Sequence, residues 1–348
     1  MASSSNGLGA SVTSERDCCA SLEPYRTEEE GQSADSASLD VPSHGSRKLL
    51  KVALVITRLC AHFVHPPSVA GQVAMSNTQE QKAVHFRSLH QKEGAFVMPN
   101  PFDAGSAKCL ESLGFEAIAT SSGASAATLA QLDGSLRREQ AMEHASLLVT
   151  AVNLPVSADL EDGFGSSPKI VQETIVLAAE TGLVGCSIDD ARRGADVPVY
   201  EIAEASDRIA AASEAAKKLG FPFMLTARAE NLIKGRNDLE DTIRRLQAYE
   251  RAGADVLMAP GLPTLDAVRQ VCAALSRPYN FMVGIPGKSF SCAELAAAGV
   301  RRISLATSLY RAAMGQFVAA AREVRKQGTF GYQDSALPSA ELTRYLSA

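Results

Sequence analysis

The sequence predicts a (β/α)8 barrel, and three observations carry the prediction. Eight short apolar runs alternate with stretches of amphipathic helical pattern after residue 83. Several of the runs lack polar alternation, as expected for a parallel sheet covered by helices. Small-residue hinges recur ahead of strands in "SLGFEAIAT", "ETGLVGCSID", "RAGADVLMA" and "AAGVRRISLA". Each supplies a helix stop followed by a buried strand. Eight such units fit one barrel. The competing fold, a doubly wound sheet, needs fewer strands and a switch point.

Taken in order, the first predicted strand is 95–99, followed by a helix over 104–113. Strand 116–120 leads to helix 137–152, strand 156–159 to helix 167–181, and strand 185–189 to helix 200–218. Strand 223–227 precedes helix 239–251, and strand 255–259 precedes helix 265–275. The last two strands are 281–285 and 302–306, with a helix over 291–298 between them. The domains expected are a low-complexity or disordered leader over 1–80, a catalytic barrel over 81–320 and a C-terminal helix or tail over 321–348.

Composition narrows the class. The chain has 348 residues, 46% hydrophobic and 21% charged, with a net charge of −5. That balance gives no support for a nucleic-acid partner, where a basic face is expected. The apolar segment 52–64 is short and broken by Arg58 and His62, so no membrane span is expected. A long polar leader precedes it, the wrong order for a signal peptide. A cytoplasmic location is the expectation, with organellar targeting left open and Met75 as an alternative start. Seven cysteines without a C-x-x-C pair argue for a reducing compartment and against structural zinc. No G-x-G-x-x-G follows the first strand, and "GIPGKS" lacks the spacing of a Walker loop.

In a barrel of this kind, chemistry gathers at the C-terminal strand ends. Those ends carry Asn100 and Asp103, then Ser121, Ser122 and Gly123, then Asp159, Glu161 and Asp162. Asp189 and Asp190 end the fourth strand, Arg228 and Glu230 the fifth, and Pro286 and Thr307-Ser308 the seventh and eighth. Carboxylates so close repel unless something positive sits among them. Arg228 is one candidate and a divalent cation the other. None of the six histidines falls in this set, so the donors are all oxygen, which favours Mg²⁺, with Mn²⁺ as the alternative. The N–H groups of Ser121-Ser122-Gly123 suit an anionic oxygen. Arg228 suits a planar carboxylate. Asp162 and Asp190 also have structural readings, as a helix cap and as a partner of Arg192, Arg193 or Arg228.

These residues resemble the isocitrate lyase and phosphoenolpyruvate mutase superfamily, particularly its phosphonomutase-like, oxaloacetate decarboxylase-like group. The resemblance runs from about residue 81 to 317. It rests on "FVMPNPFDAGSAKCLESLGFEAIATSSGASAATLAQLDG", "SADLEDGFG", "SIDD" and "LTARAE". It implies a Mg²⁺-dependent barrel in which Asp159, Glu161 and Asp189 stand near the metal. Ser122 and Gly123 would hold a substrate carboxylate, with Ser121 and Asp103 beside them, and Arg228 would grip a carboxylate or a developing oxyanion. Asp133 would touch the substrate or its loop. The resemblance also implies a homo-oligomer, a tetramer or dimer, that exchanges a C-terminal helix.

The shared chemistry is making or breaking a bond next to a 2-oxo acid through an enolate. The superfamily's lyases carry a Cys-Gly-His loop after the fourth strand, whereas "DARRGADVPVYEI" has neither Cys nor His. The lysine- and asparagine-bearing loop of the phosphonopyruvate mutases is missing too. Asp189 stands for the usual glutamate, and Glu161 for an aspartate. The expectation is therefore a Mg²⁺-dependent carbon–carbon lyase or decarboxylase acting on a small-molecule 2-oxo or 2-hydroxy di- or tricarboxylate, with Tyr200 or a metal-bound water as proton donor. A P–C bond mutase or hydrolase and a non-catalytic assembly or regulatory barrel are the alternatives.

Overall fold

The computed structural model describes residues 77–192 and 198–347, so most of the expected leader lies outside the described residues. The first element is α1 (Gln79–Leu89), which the apolar pattern did not single out. Thr78 and Gln81 form a reciprocal capping box, with bonds of 3.2 and 2.8 Å. Phe86 and Leu89 of α1 pack with Met98, Ala117, Val184, Met224 and Val256. Ala117, Val184, Met224 and Val256 lie at the N-terminal ends of their strands, so α1 closes the lower mouth of the barrel. Burying Phe86 alone contributes about 2 kcal/mol. The barrel unit therefore starts a few residues before the expected boundary at 81.

Eight βα units follow. They are β1 (Phe96–Met98), α2 (Ala104–Ser112), β2 (Ile118–Ala119), the short α3 (Ser122–Thr128), α4 (Arg138–Ala151), β3 (Val156–Asp159) and α5 (Pro168–Glu180). Next come β4 (Gly185–Asp189), α6 (Ile202–Lys217), β5 (Met224–Arg228), α7 (Leu239–Arg251), β6 (Val256–Met258) and α8 (Leu265–Ala273). The chain ends with β7 (Tyr279–Met282), α9 (Cys292–Ala297), β8 (Arg302–Ser304), α10 (Ser308–Gln327) and α11 (Ser339–Leu346). Every paired strand is parallel, in the order β1-β8-β7-β6-β5-β4-β3-β2. This is the predicted (β/α)8 barrel, and it excludes the doubly wound sheet.

The seam between β1 and β2 carries no full ladder. The Ala119 amide donates to Pro99 O at 3.0 Å, and Asn100 staples the gap. Its Nδ2 donates to the carbonyls of Ala119 and Thr120, at 3.2 and 2.8 Å, while its Oδ1 accepts from the Leu305 amide at 2.8 Å. One buried amide thus ties β1, the end of β2 and the end of β8.

Three boundaries differ from the sequence pattern. β7 begins at Tyr279, not 281, because the buried Tyr279 hydroxyl docks on Ala259 O at 2.9 Å. Ser122–Thr128 forms a short helix that the sequence pattern did not single out. α10 starts at Ser308, well before residue 321, where the C-terminal helix or tail was expected to begin. None of its residues is buried, and Phe317, Val318 and Val324 are exposed.

Candidate active site

Strand register brings the polar residues together. Asp159 pairs with Ser187 across β3 and β4, and Asp189 pairs with Arg228 across β4 and β5. Side chains alternate along each strand, so Ser157 and Asp159, Ser187 and Asp189, and Thr226 and Arg228 share the barrel's inner face. Small hydroxyl residues thus lie one layer beneath the charged rim.

Arg228 is the hub. Its Nη1 donates to Asp159 Oδ1 at 3.1 Å, and its Nε and Nη2 donate to Glu230 Oε1 at 3.0 and 2.7 Å. Asp159 Oδ2 accepts from the Ser122 amide and hydroxyl at 3.3 and 3.0 Å. Ser122 Oγ also stands 3.1 Å from Asp133 Oδ1.

This arrangement separates the acids electrostatically. Burial opposes ionisation of Asp159, but Arg228 and the Ser122 donors outweigh it and hold the carboxyl below its usual range. Burial pushes the Asp189 carboxyl up, reinforced by Glu230 and opposed by Arg228. Glu230 is also raised, by burial first, against the pull of Arg228. Burial works against the Arg228 cation, yet Glu230 and Asp159 hold its proton more firmly than usual.

A cavity of about 330 Å³ opens here, lined among others by Ser121, Ser122, Gly123, Asp133, Asp159 and Arg228. A second opening of about 340 Å³ beside it includes Glu161, Asp189, Glu230, Arg192 and Lys234. Gly123 is required by space. A Cβ there would stand 2.8 Å from Thr307 Cγ2 and 3.1 Å from Asp133 Cγ. Ser121 caps α3, accepting from the Ala124 amide at 3.4 Å.

Two expected residues fall elsewhere. Asp103 is exposed and is the N-cap of α2, its carboxylate accepting from the Ser106 amide at 2.7 Å. A short acid just ahead of a helix is taken up by the orphan amides, which draws it off the pocket wall. Tyr200 is buried and lines neither opening. The Arg208 and Arg192 guanidinium carbons lie 4.4 and 4.8 Å from its ring centroid, so the ring serves both as an aromatic platform.

Asp190 is structural: it accepts from the Glu230 amide, Arg245 Nη1 and the Tyr249 hydroxyl, at 2.8, 2.9 and 2.5 Å. Cys186 sits in the core with its thiol pushed up by burial and by Asp159, which leaves it inert. Thr307, at the end of β8, also lines the first cavity, together with Ser187, Asn280 and Arg302, which were not singled out from the sequence. For Ser187 the signal was its place in "CSID", two residues before Asp189 on the same face.

The donor set fits a hard divalent cation held largely through water. Asp159, Glu161, Asp189 and Glu230 gather around Arg228 and offer only oxygen. Among the described residues, no three His, Cys, Asp or Glu side chains converge into an all-protein cage. Mg²⁺ usually keeps several waters and needs only one or two direct carboxylates.

An eight-stranded parallel barrel with an arginine-bridged acidic cluster at the C-terminal rim defines a class, the barrel enzymes that act through their βα loops. The chain belongs to the phosphoenolpyruvate phosphomutase family, whose model matches residues 86–325. It is 30% identical to an oxaloacetate decarboxylase of Pseudomonas fluorescens over 267 residues, 74% of this chain and 88% of that one. A crystal structure from Burkholderia cenocepacia J2315, provisionally described as a lyase/mutase, shares 49% identity at a TM-score of 0.77, covering 78% of this chain and 98% of that one. A 2,3-dimethylmalate lyase, a member of the PEP mutase/isocitrate lyase superfamily, shares 25% identity at a TM-score of 0.69, covering 76% and 94%. The chain is thus an enzyme of the lyase and mutase superfamily. Among the described residues, no helix is long and apolar enough to cross a membrane.

Proposed function

We propose that this protein is a Mg²⁺-dependent carbon–carbon lyase, acting as a decarboxylase on a 2-oxo dicarboxylate of the oxaloacetate kind. The observation that carries the reading is Arg228, a buried cation joined to Asp159 and Glu230 and facing a cavity walled by Ser122 and Gly123. The similarity to oxaloacetate decarboxylases supports the choice of substrate class. Asp159, Glu161 and Asp189 are the residues that would hold Mg²⁺, which when bound supplies Lewis-acid polarisation of the carboxylate and 2-oxo oxygens.

The chain's own groups do the rest. The space above Gly123 lets a carboxylate approach the backbone closely. The guanidinium of Arg228 offers a fixed positive charge where an enolate oxygen develops its own, and such preorganised charge costs no reorganisation during the reaction. The C3–C4 bond breaks, its electron pair passes into the enolate, and carbon dioxide leaves. A proton then returns to C3, and Asp133, on the cavity wall and open to solvent, is placed to relay it. Decarboxylation needs no cysteine acid, in keeping with a loop after β4 that has neither Cys nor His.

The test is proton NMR of the full chain with Mg²⁺ and a panel of oxaloacetate, 2,3-dimethylmalate, methylisocitrate and phosphonopyruvate, against no-enzyme controls. Pyruvate from oxaloacetate above background, abolished by EDTA, is expected. Turnover of phosphonopyruvate alone would overturn the decarboxylase reading.

A further inference from the structure

Glu161 sits in a strained turn. Its φ is +49°, that of Gly163 is +79° and that of Phe164 is +63°. Glycine takes such values freely, but Glu and Phe do so at a cost. A turn of this kind persists only where its surroundings over-determine it. Two local bonds help. Thr174 Oγ1 donates to Gly163 O at 2.9 Å, and the Phe164 amide donates to Asp162 Oδ1 at 3.0 Å.

The strongest restraint comes from another unit of the barrel. Arg208 of α6 is buried, with 1% of its surface exposed. Its Nη1 donates to the carbonyls of Gly165 and Ser166, at 2.7 and 2.6 Å, and its Nη2 donates to Asp162 O. Its Nε has no acceptor among the described residues, so every hydrogen bond of this guanidinium goes to the one turn. The Tyr200 ring lies 4.4 Å from the guanidinium carbon. Tyr200 is itself fixed: its amide donates to Asp190 O at 2.8 Å, and its carbonyl accepts from Arg245 Nη1 at 2.7 Å.

We propose that Arg208, backed by the Tyr200 ring, is the positioning residue that holds the 161–166 turn in its left-handed form and so keeps Glu161 on the acidic rim. The inference rests on the reading that Glu161 helps hold a divalent ion. It assigns Tyr200 the work of a platform, so its ring matters and its hydroxyl does not. A planar fork suits the site because its two terminal nitrogens reach carbonyls spread along the turn, which the single nitrogen of an ammonium spans less well.

The probe is Mn²⁺ alone, its free concentration read by electron paramagnetic resonance against the full chain, with thermal unfolding measured on the same samples. Arg208→Met is expected to weaken Mn²⁺ binding by about tenfold to a hundredfold, the range for residues that orient metal ligands. Arg208→Lys serves where the Met variant unfolds, and it is expected to recover only part of the affinity. Tyr200→Phe is expected to bind Mn²⁺ as the wild type does, and Tyr200→Leu to bind it more weakly. Wild-type affinity in folded Arg208→Lys and Tyr200→Leu would overturn the inference and leave a merely structural clamp. Failure of the wild type itself to bind Mn²⁺ would overturn the metal reading and this inference with it.

Discussion

Replacing Arg228 by Met removes the cation that holds the rim acids together. The side chain is 12% exposed, against 16% for Asp159 and 4% for Glu230. Breaking a buried pair by deleting one partner costs about 3–5 kcal/mol, because the other charge stays behind. Partial exposure of Asp159 favours the lower end, about 3 kcal/mol, or a melting point lower by about 6–10 °C for a domain of this size. The pH dependence follows from the same groups. Asp189 and Glu230 are already raised by burial, and the variant loses the charge that opposes the rise. Carboxyls with folded values above their unfolded ones stabilise the fold at low pH and lose that contribution as pH climbs through the folded value. The deficit of Arg228→Met should therefore shrink from pH 8 to pH 5, and Mg²⁺ should reduce it at pH 8. Thermal unfolding across that range, with and without Mg²⁺, reads both effects. A deficit that is the same at both ends, or absent, would refute the reasoning.

Other outcomes follow from single contacts. Gly123→Ala forces a Cβ against Thr307 and Asp133 and should cost about 1–3 kcal/mol on urea unfolding. Thr307→Ser in the same chain, by removing Cγ2, should recover part of the loss. Asp133→Asn should lower kcat/KM for the substrate by about a hundredfold with little change in melting point, because the residue is exposed. The His90 imidazole is pushed down to about 3, by burial first and then by Arg302. It stays neutral in the fold while the unfolded chain takes up a proton near pH 6.5, so its contribution is whole above that value and falls as pH drops towards 3. At pH 5 the loss is about 2 kcal/mol, and His90→Gln should flatten the slope of stability between pH 6.5 and 5 by that amount.

The barrel was legible because its strands are short apolar runs that alternate with amphipathic helices, several of them entered through small-residue hinges. The acidic rim was legible for the same reason, since a strand end such as "SADLED" marks where a buried segment meets water. α1 escaped because its buried face is narrow, with Lys82 among the residues it buries. The sequence does not say that a helix cap claims the Asp103 carboxylate, or that the Tyr200 ring stacks on Arg208. Arg208 was invisible, because a helical arginine reads as a solvated charge, and the turn it reaches lies more than 40 residues away in sequence. The Asn100 staple reads in sequence only as a polar residue after β1, and its bond to Leu305 spans 205 positions.

Asp159 and its neighbours are proposed to support metal-dependent cleavage of a 2-oxo dicarboxylate. The most direct measurement is pyruvate formation from oxaloacetate by the full chain and by Asp159→Asn, each with Mg²⁺ and with EDTA, after subtraction of spontaneous decay. The account predicts a wild-type rate above background that needs Mg²⁺ and that Asp159→Asn loses while remaining folded. A wild-type rate untouched by EDTA, or an Asp159→Asn rate equal to it, would contradict the claim.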